Sequence, residues 1–175
     1  MEILQQLVPT AKTITLLVNP TNPNAETVLK EAQAAADGFG QQLQVLHASS
    51  DRDFDIIFAS LVQRGVGGLI VSPDPFFSSR SEQLAALSLH HAVITIFHSR
   101  EFAIAGGLMS YGGSVAESHR QAGVYTGRIL KGEKPADLPV QQITKVEMLI
   151  NLKTARTLGV TIPLPLLGRA DEVIE

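Results

Sequence analysis

The sequence predicts an α/β fold: a doubly wound, Rossmann-like parallel sheet with helices on both faces. Two observations carry this. Short β-branched, apolar runs lack alternation, the mark of strands buried on both faces, and the stretches between them repeat apolar residues at helical spacing. Strands and helices alternating at these lengths call for right-handed crossovers, with strand order about 2-1-3-4 and a further C-terminal strand. A length of 175 residues suits one domain or one and a half.

Residues 2–8 read as a short helix stopped by Pro9, and 13–18 (TITLLV) as the first core strand. NPTNP at 19–23 breaks the chain, and Asn24 is placed to cap a helix to about Gly38 with Val28, Ala32 and Ala35 inward. The second strand is 43–48. Ser50 or Asp51 caps the next helix, in which Phe54, Ile57, Phe58 and Leu61 keep helical spacing up to Gly65. Residues 68–72 (GLIVS) form a third strand, 73–79 a loop, 81–90 a helix and 92–97 (AVITIF) a fourth strand.

After Arg100 the pattern changes. Gly106, Gly107, Gly112 and Gly113 bracket 108–111, which reads as a crossing segment rather than a regular element. Residues 116–131 form a helix whose stripe of Ala116, Gly123 and Gly127 suits close packing against another body. A turn-rich link through 135–139, a last strand at 146–151, a short helix at 154–158 and a final helical turn after Pro165 complete the chain.

Composition excludes several functions. A net charge of -3 without a basic stripe argues against nucleic acid. No cysteine is present, so disulfides, thiolate metal sites and Cys nucleophiles are absent, and the five histidines lack metal-ligand spacing. No cofactor is expected. Charged residues make up 18%, below the usual share of about 25%, which suits a surface partly covered by a partner. No apolar run reaches the roughly 18 residues of a membrane span. The first residues do not form a signal peptide, so the chain as written is expected in the cytoplasm.

Parallel strands end on one edge, so their loops converge on one crevice, where such folds bind ligands. Asn19, Asn22 and Asn24 offer amides beside a helix start that suits a carboxylate or phosphate; they serve equally as a turn and cap. Asp74, between two prolines after a buried strand, could accept from an amino group, or cap a helix. Arg100 could clamp a carboxylate in two-point fashion, or form a surface pair with Glu101. Ser110 and Tyr111 lie in the glycine-bracketed crossing, where the tyrosine could stack on a flat ligand or pack at the domain edge. A hydrolase drawn from Ser72 or Ser99, His98 and Asp74 has no nucleophile elbow, so no catalytic residue is assigned.

LVPTAKTITLLVNPTNPNAE, GLIVSPDPFFSSRSEQLAALS, REFAIAGGLMSYGG and GRILKGEKPADLPVQQITKVEMLINLKTARTLGVTIPLPLL together resemble ABC transporter substrate-binding proteins of the type I periplasmic-binding fold, in the branch that includes tryptophan and aromatic amino acid importers. The resemblance implies a two-lobed protein closing on an amino-acid-like solute, with contacts from loops such as 19–24 and Asp74 and the SYG segment near the hinge. It places residues 1–98 as the second lobe. Residues 99–175 then hold the crossing segment, a helix that packs on a first lobe, and a returning strand and helix.

Family members carry a signal peptide and a first lobe ahead of this point. A fragment of an exported protein would be periplasmic and would meet a membrane permease. Alone, the chain is expected to bind weakly and to form a homodimer through the cleft side or the 116–131 helix. The alternatives are a ligand-sensing regulatory domain acting through oligomerisation and, further off, an enzyme on a Rossmann-like sheet.

Overall fold

The computed structural model describes residues 1–141 and 145–175. Helix α1 (Glu2–Leu7) leads into β1 (Thr13–Val18), α2 (Ala25–Gly38), β2 (Gln42–His47), α3 (Asp51–Gln63) and β3 (Leu69–Val71). Next come α4 (Pro75–Ser78), α5 (Ser81–His90), β4 (Thr95–Phe97), α6 (Arg100–Ile104) and β5 (Met109–Gly113). The remainder is α7 (Val115–Leu130), β6 (Val146–Asn151), α8 (Leu152–Thr157), α9 (Leu164–Leu167) and β7 (Glu172–Ile174).

Among the described residues the sheet has seven strands in the order β2-β1-β3-β4-β5-β6-β7. Strands β1 to β5 run parallel; β6 is antiparallel to β5, and β7 pairs in parallel with β6. The expected doubly wound order 2-1-3-4 is present. Helix α1 and the α2–β4 succession lie within a few residues of their expected bounds, because burial on both faces leaves little freedom in where an apolar run stops.

Three expectations are corrected. The 73–79 segment is not wholly loop: Asp74 turns the chain into α4, its carboxylate accepting from the N–H groups of Phe76 and Phe77. The 108–111 crossing segment is a regular strand, and β5 continues through both Gly112 and Gly113, which pair with Glu147 and Val146. Gly112 fits because its α-carbon passes so close to His98 that any β-carbon would overlap the His98 carbonyl oxygen. Third, β6 is not the last strand, since β7 adds beyond it.

Alternate residues of the strands feed opposite cores, as a period of two requires. Leu17, Leu69, Val71 and Phe97 pack against Phe54, Phe58, Leu61, Leu84 and Phe102 of α3, α5 and α6. On the other face Ile14, Ile96, Met109 and Ile150 pack against Leu4 and Leu7 of α1, Ala155 of α8 and Leu166 of α9. Leu16 and Val18 meet Ala25, Val28 and Ala32 of α2. The inner stripe of α2 closes on the buried Ala36 rather than on Ala35. Helix α7 buries no residue.

Candidate functional site

The loops after β1, β3 and β4 meet at the carboxyl edge of the sheet. Asp74 is their junction and is 5% exposed. Its Oδ1 accepts from Phe76 N at 2.8 Å and Phe77 N at 3.2 Å, and its Oδ2 from Asn22 Nδ2 at 2.7 Å. Asn19 Nδ2 lies 3.2 Å from both oxygens. These donors occupy the roughly four lone-pair directions of a carboxylate.

The asparagine carbonyls are committed as well. Asn19 Oδ1 accepts from Thr21 N and Thr21 Oγ1 at 3.1 and 2.8 Å, and Asn22 Oδ1 from Asn24 N at 2.9 Å. The cluster therefore clasps the β1 loop to the β3 loop. Asn24 is the exposed N-cap residue of α2 and makes no side-chain cap bond.

The other expected site residues take separate positions. Arg100 opens α6, and its guanidinium pairs with Glu172 of β7 at 2.8 Å and with Glu147 of β6 at 3.6 Å, not with Glu101. Ser110 is 1% exposed, and among the described residues its hydroxyl has no hydrogen-bond partner. Tyr111, on the opposite face of β5, is 43% exposed. It lines a cavity of about 180 Å³ shared with Ile3, Ile70, Pro73, Phe97 and His98.

His98 and Ser78 lie outside the expected ligand contacts, and the sequence signal for the first is a histidine directly after a buried strand. Ser78 Oγ bonds the Asp74 carbonyl at 2.9 Å and lies 3.0 Å from His98 Nε2. With the hydroxyl's single proton on the Asp74 carbonyl, which can only accept, His98 donates through Nε2 as the Nε2–H tautomer. Among the described residues His98 Nδ1 is buried without a partner. Burial pushes the imidazole below its ordinary 6.5, outweighing the Val71 backbone and the charges of Glu101 and Asp74, which favour protonation. No hydrogen bond runs from Asp74 to the ring, and the serine on Nε2 is Ser78 rather than Ser72 or Ser99.

Among the described residues, no group of three or more His, Asp or Glu side chains is placed to hold a metal ion. No helix there is long and apolar enough to cross a membrane. The edge therefore offers hydrogen-bonding loops clasped to one another beside a small, mostly apolar hollow.

The chain matches the family model described as ABC transporter substrate binding protein over residues 1–174. No curated protein matches. Among solved structures, a conserved domain protein from Vibrio cholerae aligns with TM-score 0.87 at 23% identity, over 98% of this chain and 58% of that one. An ABC domain in complex with L-Trp from Streptococcus pneumonia aligns at 0.86 and 26%, over 99% and 60%. A ligand-free, open substrate-binding protein with adhesive properties from Clostridium difficile aligns at 0.72 and 20%, over 99% and 58%. The chain thus spans less than two thirds of the length of each.

Proposed function

We propose, for a chain that belongs to the ABC transporter substrate binding protein family, that the carboxyl edge of its sheet is one wall of a cleft for an amino-acid-like solute. The observation that carries this is the clasp of Asn19, Asn22 and Asp74 beside the hollow that Tyr111 lines. It fixes two loops, 55 and 52 residues apart from asparagine to aspartate, at the edge where parallel sheets take their ligands. The L-Trp bound by the similar Streptococcus protein makes an aromatic amino acid the first solute to test.

Within the wall, Tyr111 faces the solute and Asn24 lies at the rim. Asn19, Asn22 and Asp74 set the loop positions, Arg100 anchors α6 to the β6 and β7 strands, and Ser110 backs the wall from the buried face. Residues 1–98 act as a second lobe and 99–175 as the crossing and returning part. A permease partner and an exported location belong to a form with the full length of the relatives.

Calorimetry and thermal shift of this chain with the twenty amino acids test the reading. Binding stabilises by about 2.7 kcal/mol when ligand exceeds Kd a hundredfold. Absence of any shift at millimolar amino acid sinks it.

A second reading concerns assembly. Helix α7 buries nothing and exposes Val115, Ile129 and Leu130, which supports a homodimer in which a second copy covers that helix. Ligand-dependent mass in sedimentation would favour a sensing role over solute delivery.

A further inference from the structure

We propose that His98 is a specificity-determining residue of this wall: neutral, it completes a chamber for a flat, uncharged ring, and protonated, it turns the chamber against that ring. This rests on the reading of the carboxyl edge as a ligand wall. The chamber of about 180 Å³ is smaller than the roughly 300–1,000 Å³ of a complete small-molecule site, so it receives one group of a ligand. Its lining is apolar except where His98 and Tyr111 enter, with Ile3, Ile70, Pro73 and Phe97 forming the remaining walls.

His98 is held for this role on two sides. Its ring meets Phe102 edge-on at 5.1 Å, and Phe102 stacks on Phe97 at 4.5 Å. The Nε2–H points to Ser78 and away from a ligand. Among the described residues Nδ1 is buried without a partner, so the Nε2–H tautomer of the neutral ring keeps one nitrogen unsatisfied. A second proton there would suit the Val71 backbone but leaves a cation against an apolar hollow.

The charged groups around the ring do not relieve that cost. Asp74 on the α4 turn and Glu101 on α6 favour the imidazolium, yet burial outweighs both. Asp74 is already occupied by the two asparagines and two backbone N–H groups. The neighbouring Arg100 is turned to Glu172 and Glu147. Met1, just ahead of α1, also lines the chamber.

Neither ring nitrogen faces the chamber, since Nδ1 is buried and Nε2 bonds Ser78, so water in the chamber eases an imidazolium only by raising the local dielectric. A ring that enters must displace this water. Cation–π attraction to the ring is smaller than the cost of removing that water. Proton and ring therefore compete, and affinity for the ring falls as pH falls through the His98 midpoint.

Indole is the probe, because it carries the flat ring without amino or carboxylate groups. The measurement is long-range proton–nitrogen NMR of the histidine rings in the whole chain from pH 8 to 4.5, with and without indole. The expected results are an Nε2–H tautomer, a midpoint below 6.5, and saturable shifts at His98 and Tyr111 at neutral pH. Affinity then drops about tenfold per pH unit below the midpoint. In His98→Gln, which takes up no proton, the indole affinity read at Tyr111, whatever its level, no longer changes with pH.

An Nδ1–H tautomer, equal indole affinity on both sides of the midpoint, or no shift at His98 and Tyr111 overturns the proposal. The wild-type titration decides even if the variant does not fold. L-tryptophan separates the two readings. Indole binding without L-tryptophan binding counts against the amino acid reading alone, and the reverse result counts against this one alone.

Discussion

Asp74 holds its two loops by hydrogen bonds that cannot be replaced by water, since it is buried together with Asn19. Asp74→Ala removes a helix cap and leaves the Asn19 amide and two backbone N–H groups without acceptors. The expected loss is about 2–3 kcal/mol in urea denaturation. Asp74→Asn can keep the Phe76 and Phe77 N–H bonds through its carbonyl, but its own NH₂ then faces the asparagine amides, so it should recover only part of the loss. Equal stability of wild type and Asp74→Ala would remove the clasp from the account. His98 contributes a second residue-scale effect. Its folded pKa lies below the unfolded 6.5, so the unfolded chain takes up the proton first. The stabilising contribution is complete above pH 6.5 and is lost as pH falls from there to the folded midpoint. Denaturation curves of His98→Gln should lack that acid-side decline. The sequence placed Asn19 and Asp74 at strand ends correctly. It could not reveal that they satisfy each other, because that depends on the register in which the neighbouring β1 and β3 pair.

At the scale of elements, β5 separates what periodicity reveals from what it hides. The strand MSYGG has little apolar alternation and ends in two glycines, so local propensity argues against it. Pairing with β4 on one side and β6 on the other overrides that propensity. By contrast, Phe54, Ile57, Phe58 and Leu61 of α3 are all buried as their spacing required. The short β7 has three residues, too few for a pattern to stand out. The two glycines make a direct test. A methyl group at Gly112 overlaps the His98 carbonyl, whereas at Gly113 it meets nothing within 4 Å. Gly112→Ala should cost about 1–3 kcal/mol or more, as overpacking against backbone does. Gly113→Ala should be neutral or stabilising by about 0.5–1 kcal/mol. Helix α7 offers another check at this scale: Arg120 and Gln121 bond the Glu117 carboxylate and hold its pKa at about 2 instead of 4.5. Arg120→Ala should move the Glu117 titration, read by carboxyl NMR, back toward 4.5.

The whole molecule is unevenly covered. Both faces of the sheet carry buried clusters, while α7 stands outside them with no buried residue. Val115, Ala122 and Ile129 recur at intervals of seven and share one side of that helix, with Leu130 beside them. Leu130 is 82% exposed. A helix of this kind gains its stability by laying such a stripe against another body, and in a homodimer the second copy supplies it. Because these side chains contribute nothing to the monomer's cores, charging them should leave the fold intact and affect association alone. Sedimentation at tens of micromolar should give a dimer for the wild-type chain and a monomer for Ile129→Glu combined with Leu130→Glu, with unchanged circular dichroism. The same substitutions should raise the midpoint of the monomeric fold's thermal unfolding by nothing measurable, so any loss of the concentration dependence of Tm reports the interface itself. A wild-type monomer under these conditions would overturn the homodimer.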